Sequence, residues 1–241
     1  MKQQLSVGLI GHQFMGKAHS HAYRDIDMFF PSNRTIKRSV LCGIGDGLEQ
    51  ARIEYGFDSL QTDWRKVVCN PEIDIVDICT PDALHMEIAV EAAKNGKHVF
   101  CEKPLSVNAE NALQMLNAAR GNDVRHMCNF TYRGIPALRL AKELINEGAI
   151  GNIYAFHGVY QQDFCLSPET PFMWRMQKSL AGPGIIGDKG AHVIDMARYL
   201  CGEFAEVCAQ DATFIKQRRN EMGVLCTVET PDMAVFNASF Q

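Results

Sequence analysis

Residues 73–106, IDIVDICTPDALHMEIAVEAAKNGKHVFCEKPLS, decide the fold. The apolar run 73–78 predicts a buried strand, 84–95 a helix that Gly96 ends, and 98–101 a second short strand. Two short apolar strands joined through a helix make a βαβ unit, because parallel strands need a crossover of that length. The same alternation continues outward. Upstream lie strand-like residues 5–10 ending at Gly11, helix-like 17–23, strand-like 39–42 and helix-like 48–55; downstream lie helix-like 109–120 and strand-like 126–130. Residues 1–130 therefore predict a Rossmann-type α/β domain, a doubly wound parallel sheet built to bind a dinucleotide.

Beyond Phe130 the pattern changes. A helix over 136–147 closes at Gly148, and a long strand is predicted over 152–160. A stretch rich in Pro, Gly and Met leads to a helix over 191–200, and long strands are predicted over 206–216 and 233–240. Long strands without intervening helices predict an α+β second domain over 131–241 with an open, mostly antiparallel sheet. The last predicted strand runs to Gln241, so the chain is expected to be a truncated form of a longer polypeptide with an incomplete sheet.

Bulk properties narrow the function. A net charge of -4 and one short basic cluster at 216–219 argue against nucleic acid as a partner. No apolar run is long enough to span a bilayer, which argues against a membrane partner, and residues 1–10 lack the apolar core of a signal peptide. Nine cysteines are spread singly with no C-x-x-C pair, which predicts reduced thiols and a cytoplasmic setting. His19 and His21, two apart on a helix, face different sides, and nothing nearby in sequence completes a tetrahedral set, so no metal is expected.

The segment VGLIGHQFMGKAH, residues 7–19, follows a strand and opens a helix, which is the context of a pyrophosphate-binding turn. Gly11 and Gly16 take the first and third places of G-x-G-x-x-G, with Gln13 in the second place and Phe14 and Met15 completing the turn. A side chain at the second place requires an explanation. Asp46, slightly past the second strand, is the candidate for the adenine ribose and inclines the cofactor to NAD; NADP stays open.

Several motifs together carry a family resemblance: GLIGHQFMGKAHSHAY from Gly8, TDWRKVV from Thr62, residues 77–106, FTYRGIPA from Phe130, PFMWR from Pro171 and GDKGAHVIDMARYL from Gly187. The chain resembles the glucose–fructose oxidoreductase / inositol dehydrogenase / rhizopine-catabolism family, Gfo/Idh/MocA, nearest to its inositol and sugar dehydrogenases. The resemblance implies an NAD(P)-dependent oxidoreductase that moves a hydride between nicotinamide and a secondary alcohol carbon of a cyclitol, sugar or sugar derivative, and a homo-oligomer for the full-length form. The alternative is a cofactor-binding, non-catalytic member of the same family.

Candidate residues follow from chemistry and resemblance together. Lys103, in CEKPL just past a strand end, is suited to bond the substrate hydroxyl and relay a proton, with Glu102 beside it to hold its ammonium. Asp188 and His192, four apart at the start of a helix, suit a base and its orienting carboxylate. The resemblance implies a catalytic role for all three, with Asp188 also contacting substrate. It further implies that Thr80, Pro81 and His85 line the cofactor with Glu102 and Lys103, and that Tyr132, Arg133, Trp174 and Arg175 face the substrate. Lys189 departs from the family pattern, which favours an apolar or small residue there.

Overall fold

The computed structural model describes residues 3–241 and divides them into two compact units, one reaching to Asn129 and one spanning Phe130–Gln241. The first unit runs β1 (Gln3–Ile10), α1 (Phe14–Phe29), β2 (Arg34–Cys42), α2 (Leu48–Tyr55), β3 (Ser59–Gln61), α3 (Trp64–Val68), β4 (Ile75–Ile78), α4 (His85–Lys94), β5 (His98–Cys101), α5 (Ala109–Gly121) and β6 (His126–Cys128). All six strands are parallel, in the order β3-β2-β1-β4-β5-β6. The order reverses between β1 and β4, which is where open α/β sheets place a ligand crevice at their carboxyl ends.

Strand alternation sorts the side chains onto two faces. Ile10, Val76, Ile78, Val99 and Cys101 join one buried cluster with Ile88, Ala89 and Met115. Val7, Leu9 and Leu41 join the other with Leu48, Ala51 and Phe57. Asp77 pairs in register with Leu9 and lies between Val76 and Ile78, so it falls on the second face, the one covered by α1. The residues of α1 that turn inward are Gly16, His19, Ser20 and Tyr23, at the i, i+3, i+4, i+7 spacing of a single helical stripe.

The second unit contains α6 (Pro136–Asn146), a 3-10 turn over Trp174–Met176, α7 (Lys178–Ala181), a π-helical turn over Ile186–Gly190, α8 (Ala191–Cys201), β7 (Phe204–Ala212), β8 (Gln217–Arg219), β9 (Leu225–Thr227) and β10 (Met233–Phe240). β7 pairs antiparallel with β10 and β8 with β9. The strand predicted over 152–160 is not one: that stretch has no ladder partner among the described residues, and Tyr154 stands almost wholly exposed. β7 stops four residues before the expected Lys216, because the Asp232 carboxylate accepts the N–H groups of Phe214 and Ile215 and turns the chain out of the ladder. Among the described residues all nine cysteines are free thiols, and no helix is long and apolar enough to cross a membrane.

Candidate functional site

The turn between β1 and α1 is closed by contact rather than by side chains. Gly11 has φ +108, and a Cβ there would lie 2.4 Å from the carbonyl oxygen of Cys79; a Cβ on Gly16 would lie 1.9 Å from that of Gly11. Only glycine fits either place. Gln13, at the N-cap, makes no side-chain cap, and its amide turns toward His12, 3.3 Å away. The first-turn N–H groups of α1 are thus left without a side-chain cap, as an anion site requires. Phe14 is largely exposed beside Gln13. Thr80, just past β4, has a buried Oγ1 with no hydrogen-bond partner among the described residues. A glycine cradle and an orphaned hydroxyl at the strand ends fit a dinucleotide. Asp46 is exposed in the Gly-rich loop between β2 and α2.

Two residues expected at the cofactor, His85 and Glu102, are buried in polar contacts. His85 is fully buried, its Nδ1 3.0 Å from the Pro104 carbonyl oxygen and its Nε2 2.9 Å from that of Thr80. Burial outweighs these backbone hydrogen bonds and holds its pKa below the ordinary value, and the ring ties the two turns together. Glu102 was expected to hold the Lys103 ammonium and line the cofactor. Its carboxylate is buried, accepting from Asn129 Nδ2 at 2.6 Å and from the Lys103 backbone N–H at 3.2 Å, with His19 Nε2 at 2.9 Å. Lys103 is half-buried in the same turn, and the Lys103–Pro104 peptide is cis.

His19 and Asp77 were not singled out as functional by their sequence. The imidazole Nδ1 lies 2.9 and 3.1 Å from the Asp77 oxygens and 3.4 Å from Cys79 Sγ, while Tyr23 Oη donates to Asp77 at 2.8 Å. The fold therefore brings a carboxylate and a thiol to His19, where the sequence suggested no such neighbours. These three residues bring potential ligand atoms within 4.8 Å of one another and hydrogen-bond among themselves. His21 faces outward and pairs with Asp25.

Burial acts to lower the His19 pKa and is outweighed by hydrogen bonds to Asp77 and Glu102, which raise it from 6.5 to about 10. The folded value exceeds the unfolded one. The stabilisation is therefore complete below pH 6.5 and is lost as the pH climbs toward 10. We expect the thermal midpoint of the first unit to fall across that window, and His19→Gln to flatten the fall; an equal slope in both proteins refutes the linkage.

The second unit assembles its own cluster. The His192 ring lies 4.5 Å from Tyr132 and 5.9 Å from Tyr160, roughly parallel to both, with Phe130 edge-on at 6.5 Å. Tyr132 Oη donates to Tyr160 Oη at 3.2 Å, a bond that, with burial, pushes its phenol up to about 12. The π-helical turn presents Asp188, whose carboxylate lies 3.4 Å from Arg175 Nε and 3.2 Å from Lys189 Nζ. The Arg175 guanidinium covers Trp174 at 4.5 Å, and the Lys189 ammonium stands 5.8 and 5.4 Å from the rings of Tyr160 and Phe164. Tyr160 and Phe164 escaped sequence reasoning, having no motif around them.

Arg133, expected to face substrate, grips the buried Asp195 with two hydrogen bonds of 2.8 and 2.7 Å and covers Tyr199. Its charge is thereby committed to holding the end of the 131–134 turn against α8. Arg133→Met leaves Asp195 buried and unpaired, which we expect to destabilise the second unit by about 1–3 kcal/mol, read as a lowered denaturation midpoint. An unchanged midpoint contradicts that role.

The six-stranded parallel sheet and its glycine turn define a Rossmann-type dinucleotide-binding fold. Residues 5–130 match the family model described as "Oxidoreductase family, NAD-binding Rossmann fold", and 138–241 that of the "GFO/IDH/MocA C-terminal domain". The chain belongs to the Gfo/Idh/MocA family of oxidoreductases, and 5–130 is its NAD-binding Rossmann domain. Levoglucosan dehydrogenase of Pseudarthrobacter phenanthrenivorans is 48% identical over 223 residues, 92% of this chain and 57% of that protein. Myo-inositol 2-dehydrogenase of Thermotoga maritima is 27% identical over 226 residues, 94% of this chain and 63% of that protein. A solved structure of levoglucosan dehydrogenase with NADH and levoglucosan superposes with a TM-score of 0.95 at 45% identity, covering 99% of this chain and 64% of that one. The chain thus spans about three fifths of these relatives' length.

Proposed function

We propose that this chain is an NAD-dependent dehydrogenase acting on a secondary alcohol carbon of a cyclitol, sugar or anhydrosugar, with levoglucosan as the first substrate to test. The observation that carries the reading is the second unit's cluster: His192 laid against Tyr132 and Tyr160, beside Asp188 shared by Arg175 and Lys189. Aromatic faces with clustered polar groups suit a ring that is apolar on its C–H faces and hydroxylated at its rim. The likeness to a levoglucosan dehydrogenase crystallised with NADH and levoglucosan supports the same choice.

The bound nicotinamide supplies the hydride acceptor. Gly11, Gln13, Phe14, Met15 and Gly16 hold the pyrophosphate through backbone N–H groups. Thr80 and Pro81 border the cofactor with the Thr80 hydroxyl as donor, and Asp46 takes the adenine ribose. His192 accepts the hydroxyl proton as the carbinol C–H bond breaks, and Asp188 orients the hydroxyl. Lys103 is suited to donate a hydrogen bond to a substrate hydroxyl and stabilise developing negative charge on oxygen. Trp174, Arg175 and Tyr132 contact the substrate. Nine free thiols support a reducing, cytoplasmic setting, and a net charge of -4 supports a sugar rather than a nucleic acid as partner. A homo-oligomer is kept from the family resemblance.

The test is reduction of NAD by the 241-residue chain with levoglucosan, inositols and free sugars, followed at the reduced-nicotinamide absorbance band. Cofactor binding without turnover on any of them contradicts the reading.

A further inference from the structure

The mechanism above makes no use of the most elaborate buried polar group in the first unit, the one centred on His19. Both of its ring nitrogens face carboxylate oxygens: Nδ1 at 2.9 and 3.1 Å from Asp77, Nε2 at 2.9 Å from Glu102 Oε1. An ionised carboxylate only accepts, so each nitrogen must carry a proton, and the ring is an imidazolium. The remaining contacts agree. Asp77 Oδ2 accepts from Tyr23 Oη at 2.8 Å, and Oδ1 from Cys79 Sγ at 3.7 Å. Glu102 Oε1 accepts from Asn129 Nδ2 at 2.6 Å, and Oε2 from the Lys103 N–H. Asn129 Nδ2 also stands 3.0 Å from His19 Nε2. Phe100 stacks on the imidazolium at 5.2 Å.

We propose that His19 is a positioning residue for the proposed dehydrogenase site: a buried imidazolium bridge from Asp77 on β4 to Glu102 past β5 that fixes the backbone from which Lys103 projects. Strand geometry explains why these residues meet. Asp77, Phe100 and Glu102 fall on the sheet face that α1 covers, and His19 lies on the inward stripe of α1. Glu102 reaches into this bridge and receives the next residue's N–H, so the direction of the chain at Lys103 depends on where His19 and Asn129 hold that carboxylate. The side chains in contact with His19 are Asp77 and Cys79 on and after β4, Phe100 and Glu102 on and after β5, and Asn129 after β6, with Tyr23 of α1 on Asp77. Two carboxylates meet one cation, and the group keeps one negative charge.

The proposal rests on the dehydrogenase reading for its consequence but not for its geometry, and the experiment separates the two. Nitrogen-15 spectra of the histidine rings in the intact chain are expected to show His19 protonated on both nitrogens from pH 6.5 to beyond pH 9, where an unperturbed histidine is neutral. A His19 ring that is neutral at pH 8 overturns the proposal. The backbone amide signal of Lys103 is expected to shift in His19→Gln and to return toward its wild-type position in His19→Gln/Asp77→Asn, which removes the surplus carboxylate along with the cation. An amide signal unmoved in the single variant overturns the positioning role. For turnover, His19→Gln is expected to lower kcat about 10- to 100-fold with KM little changed. It is also expected to add an acid-side loss of activity, as a carboxylate left without the cation takes up a proton, and the double variant to remove that loss. A packing role would lower the melting temperature without that acid limb. If the wild type turns over no polyol, the dehydrogenase reading fails, while the ring and amide signals still decide the role of His19.

Discussion

His192→Ala is expected to lower kcat by about 1,000-fold while the affinity for NADH changes little, since a positioned acid–base group contributes about 100- to 10,000-fold. The alanine variant also removes the ring that Tyr132 and Tyr160 flank, so packing and chemistry change together. His192→Phe separates them, because it keeps an aromatic ring against both tyrosines and removes the proton acceptor. Both variants should lose turnover equally if the ring accepts the hydroxyl proton. Retained turnover in His192→Phe would mean that His192 is only part of the aromatic wall. Lys103→Ala is expected to fall less far, because the lysine assists the oxygen without being the terminal proton acceptor.

The second large effect lies at Gly16, where no acid or base is involved. A Cβ there meets a backbone carbonyl oxygen at 1.9 Å, and backbone cannot rotate away as a side chain can. Gly16→Ala must therefore push α1 from β1 or open the turn at Gly11. We expect a loss of about 2–4 kcal/mol, seen as a melting temperature lowered by roughly 10 °C. The same displacement carries off the first-turn N–H groups, so NADH binding should weaken at least about 10-fold. Gly45→Ala is the control. Gly45, unlike Gly16, has a positive φ, and nothing lies within 4 Å of its Cβ position, so the variant carries backbone strain without a clash. Equal behaviour of the two variants would show that the close packing at Gly16 is unimportant.

Much of this architecture can be read from local pattern. The βα alternation of the first unit is a periodicity signal, and the strands at 98–101 and 233–240 stand where their apolar residues place them. The exposed segment 152–160 shows the limit of that signal, since a strand needs a partner and sequence alternation does not supply one. The helix at 191 is legible, but the π-helical turn before it is not, because its wider winding comes from the backbone around Gly187 and Gly190 rather than from a residue pattern.

The site divides the same way. Lys103, Asp188 and His192 lie in compact motifs. His19 meets Asp77 and Glu102 across 58 and 83 residues, and only the strand order brings them together. The buried contacts of Glu102 have the same origin: strand alternation turns its carboxylate under α1 toward His19 and Asn129. A partial warning existed, since Asp77 interrupts an otherwise apolar strand at a position whose neighbours are buried. A charge there requires a buried partner.

The most direct test of the central claim follows the hydride itself. The chain is incubated with NAD and levoglucosan or an inositol deuterated at the carbinol carbon, and the reduced cofactor is examined for the label. The account predicts deuterium on the nicotinamide with wild-type protein and very little with His192→Phe. A wild-type chain that binds NADH yet moves no deuterium from any polyol would contradict it.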